Sequence, residues 1–480
     1  MEKNEHLPFN STAPQTSLNA KLPFYCLIAV GIMNFLLMVM GDLWSRFAYC
    51  LINGLFIIPC MLILGSACAR GLTRSAKRNL CLCLAVVAWF VIVQFQRGYC
   101  LQLQHGYWLA WDARMIGLYL MAFPFAAITR DDETGLKMIA KIYIAASLVF
   151  AVYAAMLLLN CLPSFLKQSV FWMGARLLIF RHPNIVGSVL MVGIGFCIFL
   201  WLQAEDKWKK WLLAIVFILL FMTLTLTNSR TCIIITCALV GGVVFFSLYK
   251  DTGGWKRFVI GAVAALAVML SLFLATNILW KVHNNFLISQ YTAQQAEQVQ
   301  QPEHPSEDAP ALSIVTNNAT GELELTGGGQ GSLENDFWTF NGRLGIWKAA
   351  LPAIRTHKSI LIWGSSNISE TLSEFYGHIA HSHNSWLEVL LGYGLLGLLI
   401  GLIFTWLAVR NAISLLWNKN QALWKKAVAL LTLCLLLEAF LEPFLFFATI
   451  EYHYIDFVFL LCIGYTSHWR ALEKAQGKQA

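Results

Sequence analysis

Charge is what this sequence has least of. Only 12% of its 480 residues are Asp, Glu, Lys or Arg, about half the share found in soluble domains. So few charges cannot clothe the surface of a soluble multidomain enzyme. A cysteine framework is also missing. The 13 cysteines stand almost all singly in apolar stretches, and Cys81 and Cys83 are too close for a zinc or redox motif; helix packing accounts for them. No cleavable signal peptide is expected, because the polar segment 1–21 is too long and runs into a full-length apolar stretch. What is present is the opposite of a soluble composition: 58% hydrophobic residues, 18 Trp, 14 Tyr and 32 Phe, with a mean hydropathy of +0.62. Long apolar helices with aromatic residues at both interfaces are what a bilayer requires. The chain reads as an all-α polytopic membrane protein.

Twelve apolar segments are long enough to be considered as spans: 23–40, 44–65, 80–95, 109–128, 139–159, 184–202, 211–227, 231–249, 258–279, 385–409, 428–447 and a shorter 455–465. The net charge of +8 would suggest nucleic acid in a soluble protein. Here the basic residues sit in short loops between spans and report orientation instead. With the N-terminal tail 1–22 inside, the inward segments hold 22 of the 34 Lys and Arg. More than a third of the remainder on the outside lies in one long loop, where the positive-inside rule has little force. Spans 1–9 (23–279) and spans 10–12 (385–468) thus flank an external loop at 280–384, and both termini, including the tail 469–480, are expected in the cytoplasm.

That loop has two parts. Residues 290–334 are rich in Gln, Glu, Pro, Ser and Gly, include Gly327-Gly328-Gly329, and are expected to be a disordered insertion. Residues 341–383 are expected to be helical: Leu344, Trp347, Leu351 and Ile354 recur at helical spacing after a candidate cap at Asn341. Pro352 should kink the end of this helix, which would lie over the outer mouth of the bundle.

Two arginines at that mouth occupy unfavourable places. Arg230 ends the link Thr227-Asn228-Ser229-Arg230, so with Asn228 or Ser229 as cap it falls in the first turn of the next helix, the wrong end of the dipole for a cation. Arg343 repeats the arrangement two residues after Asn341. A bound anion would make both placements favourable. Snorkelling of Arg230 and solvation of Arg343 is the other reading, and the local pattern leaves both open. The third element is His381-Ser382-His383-Asn384, at the outer start of span 10. Asn384 and Glu388 share a helix face, with Glu388 one turn deeper, where an ionisable group needs a partner. Glycines 392, 394, 397 and 401 then permit close helix approach. No Asp, Glu or Cys stands at ligand spacing from the two histidines, so no metal site is read here.

These residues resemble the signature of the bacterial O-antigen ligase and O-antigen polymerase superfamily: His383-Asn384, nine residues, then Gly394 and Gly397. The Asn-Ser-Arg turn at 228–230, the Gly342-Arg343…Trp347 helix and the Pro183-Asn184 pair agree, so the resemblance covers about 179–401. It implies transfer of a glycan from an undecaprenyl pyrophosphate-linked donor to a hydroxyl acceptor at the outer face of the cytoplasmic membrane, with no cofactor, no metal and no nucleic acid. The acceptor could be lipid A-core, a growing glycan or a protein, so ligase, repeating-unit polymerase and protein O-oligosaccharyltransferase stay open. By position, His383 would be the catalytic base and Arg230 and Arg343 the residues that hold pyrophosphate, with Asn384 beside them. The chemistry is consistent: imidazole titrates closest to neutral pH, and guanidinium binds phosphate oxygens bidentately.

The chain departs from the family pattern in two places, the insertion at 290–334 and the Arg181-His182 pair before Pro183. Arg181 would serve either as a third phosphate contact or as a structural residue of its loop. A flippase or transporter for lipid-linked sugars would call for charged groups at mid-depth and an internal repeat; the polar residues cluster at the outer mouth instead.

Overall fold

The computed structural model describes residues 18–40, 51–52, 54–96, 115–163, 166, 170–173, 176–179, 183–249, 254–300, 312–316, 323–327, 343–365, 367–376, 381–444 and 453–476. In chain order, α1 (Leu18–Met40), α2 (Ile57–Arg70), α3 (Arg74–Gln96), α4 (Phe125–Thr129) and α5 (Thr134–Leu158) lead to a hairpin of β1 (Val170–Met173) and β2 (Arg176–Ile179). Helices α6 (Pro183–Gln203), α7 (Lys207–Thr227), α8 (Arg230–Leu248) and α9 (Gly254–Gln300) follow. A second hairpin, β3 (Leu312–Thr316) and β4 (Leu323–Gly327), precedes the short helices α10 (Arg343–Thr356), α11 (Ile360–Trp363) and α12 (Ile368–Tyr376). The chain closes with α13 (Ser385–Leu416), α14 (Leu423–Ala439) and α15 (His453–Gln476).

The protein is an all-α polytopic membrane protein. Among the described residues, eight helices are long and apolar enough to cross a membrane, where the sequence led us to expect twelve spans. The difference lies in particular elements. The segments expected at 44–65 and 109–128 fall partly outside the described residues. Helix α15 runs well past the expected 455–465 and carries charged residues along its second half. Helix α14 has 17 residues and stops at Ala439, short of the expected 447, because the chain turns there to bring Glu442 into the bundle.

Helix α6 is the axis. It is buried along most of its length and packs against α5, α7, α8 and α14. Lipid-facing surface is supplied by helices such as α9, whose Leu266, Leu270, Leu274 and Ile278 are more than half exposed, as an apolar solvent permits. α9 also continues 21 residues beyond the expected end at 279. Its polar extension is rich in Gln, which propagates a helix already nucleated. Further along, alternating Leu-Ser-Ile-Val-Thr and Leu-Glu-Leu-Thr-Gly pair antiparallel, with Leu312 opposite Gly327 and Thr316 opposite Leu323. Composition had marked 290–334 as disordered, and these pieces of it have regular structure.

Helix α10 buries only part of the face that the large side chains suggested: Trp347 and Ile354 pack against the buried cluster around Ile346 and Ala350. Leu344 and Leu351 are 40% and 61% exposed, while Ile346, Ala349, Ala350 and Ala353 are buried. Small residues let α10 approach the bundle closely. The helix passes through Pro352 and ends at Thr356. Asn341, the expected cap, lies outside the described residues.

Helix α13 is interrupted at Gly394, with φ 70° and ψ −171°. The backbone of α11 fills the notch: a Cβ on Gly394 would stand 2.4 Å from the Ile362 carbonyl oxygen. Two carbonyls that the break leaves outside the helical ladder find other donors. Ser365 N–H donates to the Leu391 oxygen at 2.5 Å, and Trp89 Nε1–H to the Tyr393 oxygen at 3.1 Å.

Candidate active site

Four helix ends and one turn meet at one end of the bundle. Helix α7 ends on Asn228, whose left-handed φ of 47° stops it. Ser229 then opens α8, so Arg230 is its first residue. The connection is only two residues, Asn228 and Ser229, which is why a cation falls at a helix N-terminus. Arg230 is half-buried and makes no hydrogen bond or ion pair among the described residues. Arg343, likewise the first residue of α10, is instead buried and paired: its Nη2 lies 2.5 Å from Glu442 Oε1. Its Nε has no partner among the described residues.

The His381–Asn384 turn is held from three sides. Asn384 caps α13 by accepting the Leu387 N–H at 2.9 Å, and its amide donates to the Phe440 carbonyl at 3.0 Å. Ser382 is fixed at both backbone groups, since its N–H donates to Glu388 at 2.7 Å and its carbonyl accepts from Trp347 Nε1–H at 3.0 Å. Glu388 therefore finds its partner in the turn above it. Between these anchored residues His383 is driven to φ 51°, a left-handed conformation that costs an L-residue about 1–2 kcal/mol. It is paid for by the anchors on either side. The His381 and His383 rings meet edge to face with centroids 4.1 Å apart.

Glu442 joins the parts. While Oε1 holds Arg343, Oε2 lies 3.5 Å from His383 Nδ1, an electrostatic contact longer than a hydrogen bond. The same Oε1 accepts from the Asn184 amide at 2.7 Å, and Asn184 Oδ1 accepts from Arg176 Nη2 at 3.3 Å. Arg176, on β2, is further anchored by Nε–H to the Thr227 carbonyl at 3.2 Å. Burial first, then the nearby charge of Arg230, lowers the proton affinity of Arg176, and Arg343 acts in the same sense against the opposing pull of Glu442. Arg230 and Arg343 are thus both within electrostatic range of Arg176. Ser385 fixes the Glu442 backbone, its hydroxyl donating to the Glu442 carbonyl at 2.8 Å and accepting from Phe444 N–H at 3.1 Å.

Of the residues singled out in the sequence, Arg343 and His383 meet on one carboxylate, Arg230 stands at the same mouth, and Asn384 holds the turn. Arg181 lies outside the described residues. Sequence reasoning missed Glu442, Arg176 and the bridging role of Asn184. Glu442 did leave a signal: with Glu438 it is one of two acids, four residues apart, in an apolar run, and an acid in such a place is costly unless it is used. Glu438 is also fully buried, one turn below. It accepts from the Ser188 hydroxyl and from the Cys232 thiol at 3.1 Å. Arg176 left no signal, because its loop shows no motif and only the folded hairpin turns it inward.

Residues 215–402 match the family model for O-antigen ligase. The matched stretch contains Arg230, Arg343, His383 and Asn384, and ends one residue beyond the resemblance seen in the sequence. Neither the curated proteins nor the solved structures give a match to the chain. The family match supports a multi-pass membrane enzyme of the O-antigen ligase or polymerase type.

Proposed function

We propose that the protein transfers a glycan from an undecaprenyl pyrophosphate carrier to an acceptor hydroxyl at the outer face of the cytoplasmic membrane. His383 accepts the acceptor's proton as its oxygen attacks the anomeric carbon. The bond between that carbon and the pyrophosphate oxygen breaks in the same displacement, so the anomeric configuration inverts. Arg230, Arg343 and Arg176 take up the charge that develops on the departing pyrophosphate, with the unpartnered Nε–H of Arg343 and the unpaired guanidinium of Arg230 as its first contacts. Arg181 would add a phosphate contact from the adjoining loop, and Asn384 keeps His383 in register. Glu442 is a positioning residue: it faces Nδ1 of His383, which leaves Nε2 as the nitrogen that meets the hydroxyl.

The observation that carries this reading is a charge imbalance. Three guanidiniums gather at one mouth, and among the described carboxylates only Glu442 pairs with any of them. An anion with two phosphate groups restores the balance. The test is transfer by the purified protein from a lipid pyrophosphate glycan to a hydroxyl acceptor, with and without EDTA. Formation of the transferred glycan only in the presence of a divalent ion would overturn it.

A further inference from the structure

The opposite end of the bundle holds a second group of cations that this function does not use. Arg410 lies 25 residues along α13 from Ser385, about 38 Å at the helical rise, and so at the other membrane face. Arg410 Nη2 and Arg470 Nη1, from α13 and α15, both donate to one oxygen, Asn411 Oδ1, at 3.3 and 3.0 Å. The Asn411 amide is oriented by its donation to Ser467 Oγ at 2.5 Å. Arg78, on α3, is within electrostatic range of Arg410. Both Arg410 and Arg470 keep a buried Nε with no partner among the described residues. Among the described residues no carboxylate pairs with any of the three; even Glu473, one turn beyond Arg470, makes no ion pair.

Two guanidiniums that converge on a neutral oxygen repel each other, and each unpartnered N–H loses its hydration without replacement. A phosphate ester between them would cure both defects, since the Nε and Nη edge of arginine matches two phosphate oxygens. The surroundings say what carries the phosphate. Arg410 stacks on Trp406, 4.2 Å from the ring centroid, and Trp406 is one turn deeper towards the bilayer centre and 57% exposed. Ile413 and Trp417 continue the exposed apolar surface. Basic pockets between transmembrane helices at a membrane surface suit lipid headgroups.

We infer that the cleft between α3, α13 and α15, lined by Arg410, Arg470 and Asn411, holds the headgroup phosphate of an anionic phospholipid, with acyl chains lying along Trp406. The test is native mass spectrometry of the full-length protein in detergent with phosphatidylglycerol or phosphatidylethanolamine, and thermal stability in inorganic phosphate without lipid. The wild type should retain one phosphatidylglycerol under activation that strips phosphatidylethanolamine. Arg410→Ala with Arg470→Ala should reduce that retention about tenfold or more. Asn411→Asp places a carboxylate between the arginines and should displace the lipid to a similar degree while the protein stays folded, so it decides the matter if the alanine pair does not fold. Undiminished retention in Asn411→Asp would overturn the proposal. So would stabilisation by millimolar inorganic phosphate with no lipid retained, which would assign the cleft to a soluble phosphate.

Discussion

Arg343 and Glu442, 99 residues apart in the chain, meet as a buried ion pair with 2.5 Å between Nη2 and Oε1. The pair joins the end of the long loop to the turn after α14, so the proposed active-site mouth is also a tertiary lock. Removing one partner leaves the other charge buried alone, at a cost of about 3–5 kcal/mol. Arg343→Ala should therefore lose thermal stability as well as donor binding. Arg230→Ala, with no partner to strand, should lose donor affinity by about 1.5–3 kcal/mol and keep its melting temperature. Lys at 230 should rescue only partly, lacking the bidentate edge. Equal melting behaviour of the two alanine variants would contradict this division.

His383→Ala should lower turnover by roughly 10²–10⁴ and leave donor binding largely intact, since a general base acts on the acceptor and not on the carrier. Measured donor binding and single-turnover transfer separate the two effects. Wild-type turnover in this variant would remove His383 from the mechanism.

Glu442→Gln keeps the shape of the side chain and discards its charge. The mouth becomes more positive, so donor binding should hold or tighten, while turnover falls by about 10–10² because His383 loses its electrostatic partner. A fall in donor affinity at unchanged turnover would show that Glu442 does not act through His383.

How far these roles could be read in advance depended on whether a residue's neighbours are local. Arg230 and His383 sit beside their own helix starts, so the turn residues Asn228, Ser229 and Asn384 announce them. Spans such as α6, α7 and α8 were legible because a bilayer demands continuous apolar length. Glu442 acquires meaning only from Asn184, Arg343 and His383, which lie 258, 99 and 59 residues away in the chain. The buried face of α10 misled in part, for a related reason: large apolar side chains mark a core face in water, but beside lipid they serve equally well outside, and alanines do the close packing.

Gly394→Ala should destabilise the protein strongly. The residue is left-handed at φ 70°, and its new methyl group would meet the Ile362 carbonyl at 2.4 Å. Gly65→Ala is the control, a helical position with nothing within 4 Å, and should be neutral or stabilising by up to about 1 kcal/mol. Thermal unfolding in detergent compares them; similar midpoints would mean that α11 does not depend on the notch.

Topology can be checked with the protein's own chemistry. Cys161, in the loop between α5 and β1, has an exposed thiol and should react with an impermeant maleimide added to intact cells. Cysteines introduced at Glu205 and Lys419, in the loops at the other end of α6 and α13, should stay protected until the membrane is opened. Labelling of position 419 from outside would invert the orientation.

The interruption at Gly394 divides α13 into a short segment that carries the His381–Asn384 turn and a long one that crosses the bilayer to Arg410. At the joint Ser365 and Trp89 bond the carbonyls of Leu391 and Tyr393 from outside the helix. The helix is continuous in sequence but changes course at Gly394. The shorter piece packs against α11 and is bonded by Trp347 through Ser382, so the short helices before α13 share in setting its bearing.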